Sequence, residues 1–581
     1  MKKILIVFSL CGLFLTGCEN FLDTENLTGK NTGNYPANET DVNDMLTSVY
    51  ESVGRLEKTT GPYSLWFVSE MLSDDRFAGG GTDDVQWPPL EALAITNREF
   101  AEGMWRLPYN AIYRANSVLD AMDGVTWSSD AARDKIEGQT RFLRAYSFFN
   151  LARVFGTAQL PLSSIPSNDP LVSADELYAQ IALDLKKAIE LMPSDKIGNA
   201  AERVRATKWA AEAYMARVFL FYTGYYGKSE LPLAPEVEGE AAGTVSKDQV
   251  VGWLNDCIAS SGHKLIDDFR ELWPYTNSAT NDPANGEAMV YPYAVENKLE
   301  WIGQDGANTE SVFAIASSPS TSNWGDNSYG NPIVLFGSIR QETNSDAKES
   351  EYYPWGWGWG HAPVNTRLWE GWPAGDLRKV ASILDVRNPD EIGTYIWGAK
   401  NQVDETGYWQ KKYIRVMAPD PNDKSKVANY GAALWGSVVS TTMQLGETQD
   451  MVMMRFADVL LMHSELTGTA DGINTVRARV GLDPVTYSLD NLKAERRYEL
   501  AFEGLRYHDL LRWGIAEAAQ TIIAAEEGVA IKYDNKDAVK HAPANFAQRL
   551  QETGGFMPIP GSQIDLSPDV LQQNPGWESL K

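Results

Sequence analysis

Cysteine is nearly missing from this chain: three occur in 581 residues, and two of them, Cys11 and Cys18, fall in the N-terminal apolar stretch. Cys257 is left without a partner, which excludes an intrachain disulfide framework. A chain of this length buries enough apolar surface to do without one. Histidine is scarce as well. His263, His361, His463, His508 and His541 are scattered, and none stands at ligand spacing from a cysteine or another histidine, so no metal centre is expected. The run Ala78-Gly79-Gly80-Gly81-Thr82 lacks the lysine of a phosphate-cradling loop. Positive charge is also in short supply: 51 Lys and Arg stand against 78 Asp and Glu, a net charge of −27 spread along the chain. That balance argues against nucleic acid and anionic headgroups as partners and favours neutral ligands. Past residue 18, no apolar run is long enough to span a bilayer.

What is present begins with a short leader. Lys2 and Lys3 precede the apolar run Ile4 to Leu15, which is too short for a stable anchor, and Leu15-Thr16-Gly17-Cys18 follows. Small residues before a cysteine let the chain lie extended in a peptidase site, and the thiol is the nucleophile that takes a diacylglyceryl group. The pattern resembles a bacterial lipoprotein signal. It implies that residues 1–17 are removed as a signal peptide and that Cys18 is lipidated, so that acyl chains hold the protein to a membrane. An ordinary secretory signal with a chance cysteine is the alternative. Residues 18–37, rich in Asn, Thr and Gly, read as a lipidated tether.

Most of the remainder reads as amphipathic helix. Val42, Met45, Leu46, Val49, Tyr50 and Val53 form one apolar stripe over 38–57. Further helices are predicted at 99–123, 129–155, 174–192 and 206–224, then at 450–466 and 488–513. The close of the 174–192 helix, Ala188-Ile189-Glu190-Leu191-Met192-Pro193, pairs a small residue with a terminating proline, a partial match to a tetratricopeptide (TPR) helix pair. From 265 to 450, Gly, Pro, Asn and Asp cluster between short apolar runs, of which Glu310 to Ile315 looks like a strand. That segment is too long for a plain loop. The expected fold is mostly α, in three parts: an N-terminal helical scaffold with TPR-like pairs (38–264), an irregular ligand-binding lobe carrying short strands (265–450), and a C-terminal helical part packing on the scaffold (451–581).

Several blocks are similar to those of one family. Phe21-Leu22-Asp23 follows Cys18, and the third helix contains Arg141-Phe142-Leu143-Arg144-Ala145-Tyr146 and runs on to Phe155-Gly156. Later come Arg455-Phe456-Ala457-Asp458, Asn474-Thr475-Val476-Arg477, and Glu495-Arg496-Arg497-Tyr498-Glu499 continuing to Asp509-Leu510. Pro558-Ile559-Pro560 and Gln573-Asn574-Pro575-Gly576 close the series. On these blocks, in this order, the chain resembles the SusD/RagB family of outer-membrane, nutrient-binding lipoproteins of Bacteroidota. It departs in a short link between Glu465 and Asn474, where the family often has more residues. The resemblance implies a SusD-like fold at the cell surface, seated as a lid on a SusC-like TonB-dependent transporter. It also implies capture of an oligosaccharide or polysaccharide without catalysis or cofactor. A minority of the family handles peptides, so a peptide-binding RagB-like receptor is the alternative.

Nineteen Trp and 25 Tyr are many for so acidic a chain. Such rings either fill a core or make flat platforms for sugars. Tyr352 to His361 alternates Trp with Gly and, if extended, sends Trp355, Trp357 and Trp359 to one face. Sugar C–H faces stack on such rings while nearby carboxylates and arginines take the hydroxyls. Packing of the lobe onto the body is the competing role, because Trp is usually largely buried. The resemblance adds Trp87, with Asp75 and Arg76 as hydroxyl partners, from the loop between the first two helices, where Asp74 equally suits local loop closure. It also adds Trp324 and Tyr329 from the irregular lobe. A helical glycoside hydrolase is the reading from another class, since Glu495, Glu499 and Glu503 stand one turn apart. Arg496, Arg497 and Arg506 beside them depress acid pKa values and point instead to ion pairs that fix packing. Asp420-Pro421-Asn422-Asp423 lacks the pattern of a dedicated calcium loop and reads as a turn. No catalytic or metal site is expected.

Overall fold

The computed structural model describes residues 35–580, apart from 59–62, 199–203, 238, 283–289, 305–306, 318–329, 341–352, 394 and 436–446. Cys18 and most of the tether lie outside the described residues. The first predicted stripe forms α1 (Glu39–Lys58), with Val42, Leu46, Val49 and Val53 buried. After α2 (Leu65–Met71) come α3 (Glu102–Ala121), α4 (Asp130–Phe155), α5 (Ala174–Leu191), α6 (Lys208–Tyr226) and α7 (Lys247–Ser260). From α3 to α7 each helix packs on the next, and α1 covers both α3 and α4.

Local signals set the ends of these helices. Ser173 and Glu176 make a reciprocal capping box at the start of α5, and the chain turns extended at Met192, just before Pro193. α4 is buried on every side from Phe142 to Phe155, which is why it shows no simple stripe. α7 escaped the apolar pattern because it buries only Val250, Leu254 and Cys257.

Among the described residues, strands occur in five antiparallel pairs. They are β1 (Leu231–Leu233) with β2 (Gly243–Val245), β3 (Ser311–Ile315) with β8 (Met451–Arg455), β4 (Ile383–Asp385) with β5 (Tyr408–Gln410), β6 (Met417–Pro419) with β7 (Val427–Asn429), and β9 (Val529–Tyr533) with β10 (Lys536–Lys540). β3 is the strand expected near 310. Its partner β8 falls where a helix was predicted to begin, so helix α8 (Phe456–Thr467) starts later than expected. Pairing with a distant strand outweighs the local pattern there.

The rest of the C-terminal part comprises α9 (Asp471–Arg479), α10 (Leu489–Glu499), α11 (Arg506–Trp513), α12 (Ile515–Glu526) and α13 (Phe546–Thr553). The helix predicted over 488–513 is therefore two helices. Between them Phe502 and Gly504 adopt φ of 66° and 71°, and a Cβ on Gly504 would overlap the Trp66 indole. The Gly504 N–H is taken by Glu70 at 2.7 Å, so the break is held by α2.

A buried charge cluster joins residues of the 265–450 segment to the C-terminal helices. Arg455 at the end of β8 pairs with Glu310, with Glu499 at 2.9 Å and with Glu503 at 2.7 Å. Arg378 from the lobe reaches Asp376 at 2.8 Å, Glu499 at 3.1 Å and also Glu495. Arg479 pairs with Glu310 and Glu499, Arg477 with Glu495 and Lys412 with Glu503. Charge balances within the cluster: five carboxylates face five cations. Burial alone would raise Glu499, but Arg479, Arg455, Arg378 and Lys412 hold it well below the usual carboxylate range. Arg455→Met, leaving three buried carboxylates short of a partner, is expected to lower the unfolding free energy by about 3–5 kcal/mol, read by urea denaturation.

A second buried pair ties α8 to the scaffold. Asp458 meets Arg217 of α6 and Arg496 of α10, each at 2.6 Å. Burial pushes Asp458 up, yet Arg496 and Arg217 outweigh it and hold it at about 2. Its folded pKa thus lies below its unfolded value, so the contribution is complete above about pH 4 and is lost as pH falls towards 2. Asp458→Asn should be less stable than the parent at pH 7, and the gap in urea midpoint should narrow by the equivalent of about 2 kcal/mol on going to pH 2. A gap that stays constant with pH would contradict this.

Candidate functional site

The two aromatic segments singled out in the sequence meet in space. The chain leaving α2 runs antiparallel to residues 360–365, with Phe77 N–H donating to Pro363 O at 3.0 Å and Ala362 N–H to Ala78 O at 2.7 Å. Bridges Arg76 to Val364 and Gly79 to His361 register the two, and Gly81 bridges on to Gln402. The glycines of the Trp-Gly repeat are needed for close approach: a Cβ on Gly358 would overlap the Leu335 carbonyl oxygen.

Within this frame several expected contact residues turn inward. Asp75 is buried and pairs with Arg497 at 2.6 Å, while Asp74 holds Arg506 at 2.7 Å and Arg497 at 2.9 Å. Arg76 is buried between Glu70 at 3.2 Å, the Ala362 carbonyl at 2.6 Å and the Phe502 ring. Asp75 and Arg76 thus brace the loop instead of facing a ligand, because the C-terminal helices cover the segment. Trp87 is enclosed by Tyr63, Phe100 and His361, with ring centroids at 5.0, 6.2 and 5.5 Å. Trp355 is fully buried, donating from Nε1 to Glu391 O at 2.8 Å and packed edge-on against Tyr291. Trp357 is half-buried. Trp355, Trp357 and Trp359 do not share one exposed face; the segment climbs from core to surface. Trp324 and Tyr329 lie outside the described residues.

Trp359 is the ring that emerges. It is 36% exposed and stands edge-on against Phe336 at 4.8 Å, which fixes its tilt. Arg340 donates to the Trp359 carbonyl at 2.6 Å and lies flush against Gly81, where any side chain would collide with it. Asp84 caps the same turn, accepting from Gly81 N–H at 2.6 Å, with its carboxylate 3.9 Å from His361. Burial lowers His361 to about 4, with Asp84 opposing and Arg340 reinforcing, so it is neutral at pH 7. The result is a surface ledge with one aromatic face, one guanidinium and one carboxylate. An exposed ring offers an apolar face, and the flanking charges offer hydrogen bonds to hydroxyls. Arg340 and Phe336 were missed in the sequence, since nothing in their neighbourhood marks them as meeting Trp359.

The competing chemistries find little here. Glu495, Glu499 and Glu503 are buried under their arginines, which keeps a glycosidic bond away from them. Asp420 accepts from Asn422 N–H at 2.7 Å and Asp423 pairs with Lys426 at 2.9 Å, forming the turn expected there. Among the described residues, no group of three or more His, Cys, Asp or Glu is arranged to hold a metal, and no helix is long and apolar enough to cross a membrane. Cys257 is a free, buried thiol.

Stacked helices carrying a loop-rich lobe define a mostly α class of fold, here with an aromatic ledge. The chain belongs to the SusD-like family: residues 309–577 match the model described as the SusD family, and residues 20–220 match the model described as starch-binding associating with outer membrane. A SusD-like protein of Bacteroides ovatus is 25% identical over 301 residues, 48% of this chain and 48% of that protein. SusD-like protein P25 of Formosa agariphila is 22% identical over 88% of this chain and 89% of its own length. The solved structure of a laminarin-binding SusD-like protein superposes with a TM-score of 0.66 at 24% identity, covering 93% of this chain and all (100%) of that one. Over so full a span, the mostly α, SusD-like fold is shared.

Burial separates the roles of the Trp residues. Trp355→Ala should cost about 3–5 kcal/mol of stability, as expected for a buried ring, whereas Trp359→Ala should shift it by less than about 1 kcal/mol in the same urea titration.

Proposed function

We propose that this chain is a non-catalytic, cell-surface glycan-binding protein that captures an oligosaccharide or polysaccharide on the Trp359 ledge. The observation that carries the reading is the exposed Trp359 ring, braced by Phe336 and flanked by Arg340 and Asp84. A fixed ring loses little conformational freedom on stacking, so the ledge meets a sugar face without reorganising. The description of the matching family as starch-binding and the likeness to a laminarin-binding structure support the same class of ligand. In this reading the 265–450 lobe supplies Trp359 and Arg340, Asp84 joins them from the 73–88 loop, and Trp357, Trp324 and Tyr329 are further candidate glycan contacts. Trp87 and Trp355 act as bracing.

The remaining parts of the proposal concern place and partner. Cys18 carries the lipid that anchors the protein in the outer membrane, residues 18–37 form the tether, and a SusC-like TonB-dependent transporter receives the captured glycan. The acidic surface is compatible with a neutral polysaccharide.

Isothermal titration with laminarin, amylose and xylan tests the ligand class. Trp359→Ala is expected to weaken binding of the preferred glycan at least tenfold, about 1.4 kcal/mol, and Arg340→Ala by several-fold. Binding to peptides with none to any polysaccharide would sink the proposal. Fractionation of cells carrying Cys18→Ala tests the anchor. The variant should leave the membrane fraction, and its retention there would show that the lipid is not what holds the protein.

A further inference from the structure

A cavity of about 150 Å³ opens where the scaffold meets the lobe, lined from one side by residues around Arg205 and from the other by His263, Trp273, Trp301, Tyr413 and Asp450. None of these residues belongs to the Trp359 ledge. Three of its lining residues, Arg205 through Nη1, His263 and Trp273, carry buried polar atoms with no partner among the described residues. His263 is 6% exposed, with Nδ1 2.9 Å from the Thr309 carbonyl oxygen. A carbonyl only accepts, so Nδ1 carries the proton and Nε2 is a bare acceptor, for which the described residues supply no donor. Burial lowers His263 to about 4 despite the Thr309 hydrogen bond, so it stays neutral at pH 7. Trp273 is 2% exposed and its Nε1–H has no acceptor. In a finished core such groups are paired.

The other walls are set for an apolar contact. Trp301 is half-buried at the rim, held edge-on by Tyr430 at 5.8 Å and 82°. The Tyr413 hydroxyl is already engaged, accepting from Val452 N–H at 3.1 Å. Arg205 lies over the Tyr50 ring, while Asp450 accepts from Ser317 N–H at 2.7 Å. Charges of both signs line the cavity, Lys135, Lys196 and Arg205 against Asp195 and Asp450, so an ion of either sign meets like charge while a neutral ligand does not. A volume of about 150 Å³ is that of an engineered cavity known to accept one benzene ring.

We infer that this cavity is a second binding site, for a single neutral, hydroxylated ring such as a monosaccharide. A hydroxyl both donates and accepts, so one ligand gives a proton to His263 Nε2 and takes one from Trp273 Nε1–H. Its C–H face rests on Trp301. The site is separate from the ledge and does not depend on the ledge's ligand.

Saturation-transfer NMR on the full-length protein with glucose, galactose and xylose, and with glucose 6-phosphate as a charged control, tests this. At least one neutral sugar should show transfer that survives Trp359→Ala, falls at least fivefold with Trp301→Ala and weakens with His263→Ala. Trp301 is at the rim, so its variant is expected to fold, as thermal melting will verify. No transfer to any neutral sugar, transfer to the phosphate alone, or transfer unchanged in both cavity variants would overturn the inference. Loss of transfer in Trp359→Ala alone would also overturn it, by assigning all sugar contact to the ledge. Polysaccharide titrations that fail while the cavity still takes a monosaccharide would count against the ledge only.

Discussion

The guanidinium of Arg455 sits where β8, the residue before β3 and the C-terminal helices meet. It draws Glu310 from the start of the β3 strand region, Glu499 from the end of α10 and Glu503 from the turn after it. Desolvating so many charges is costly, and the cost is offset only when each carboxylate finds its cation in good geometry. Removing one partner is therefore far worse than the net worth of the pair suggests. A cluster of this kind acts mainly to set register: the lobe, through Arg378 and Lys412, docks on the C-terminal helices in the arrangement that satisfies all ten charges. The same condition keeps Glu499 ionised and closed to solvent, which fits a binding scaffold better than an acid catalyst.

The aromatic residues divide into two groups by burial. Trp87 and Trp355 are locked among other rings in the interior, Trp87 against His361 beside the ledge and Trp355 against Tyr275 and Tyr291. Trp359, two positions beyond Trp357, reaches the surface on the same segment. A platform held by such packing is already in position before any ligand arrives. The turn at Gly81 and Asp84 completes it, held against the same segment by backbone pairing.

Much of the scaffold was legible in the linear pattern. α1, α3, α4, α5 and α6 fall within a few residues of their predicted spans, because apolar periodicity and end signals such as Ser173 and Pro193 act locally. Two local readings failed for the same reason. β8 was read as helix, and the α10–α11 break was read through, because distant partners, β3 and α2, decide both. At the site, the aromatic segments were found, but Asp75 and Arg76 were assigned to the ligand. Charged residues beside a glycine run look exposed in sequence, and only distant partners show otherwise: Arg497 covers Asp75, and Glu70 with the Ala362 carbonyl encloses Arg76.

By itself the sequence determined the class: helix pairs from their stripes, the absence of a disulfide frame, an acidic charge balance, and a family resemblance spread from Cys18 to the last turn. What only the tertiary structure decided is which rings face out. A Trp-Gly repeat places Trp at every second position, but whether a given face meets water or core depends on what packs against it. Here Glu391, Tyr275 and Tyr291 close over Trp355, while Phe336 and Arg340 hold Trp359 where it stays 36% exposed. Those partners lie far from each other in the chain. Burial is a property of the assembled fold, and no local pattern carries it.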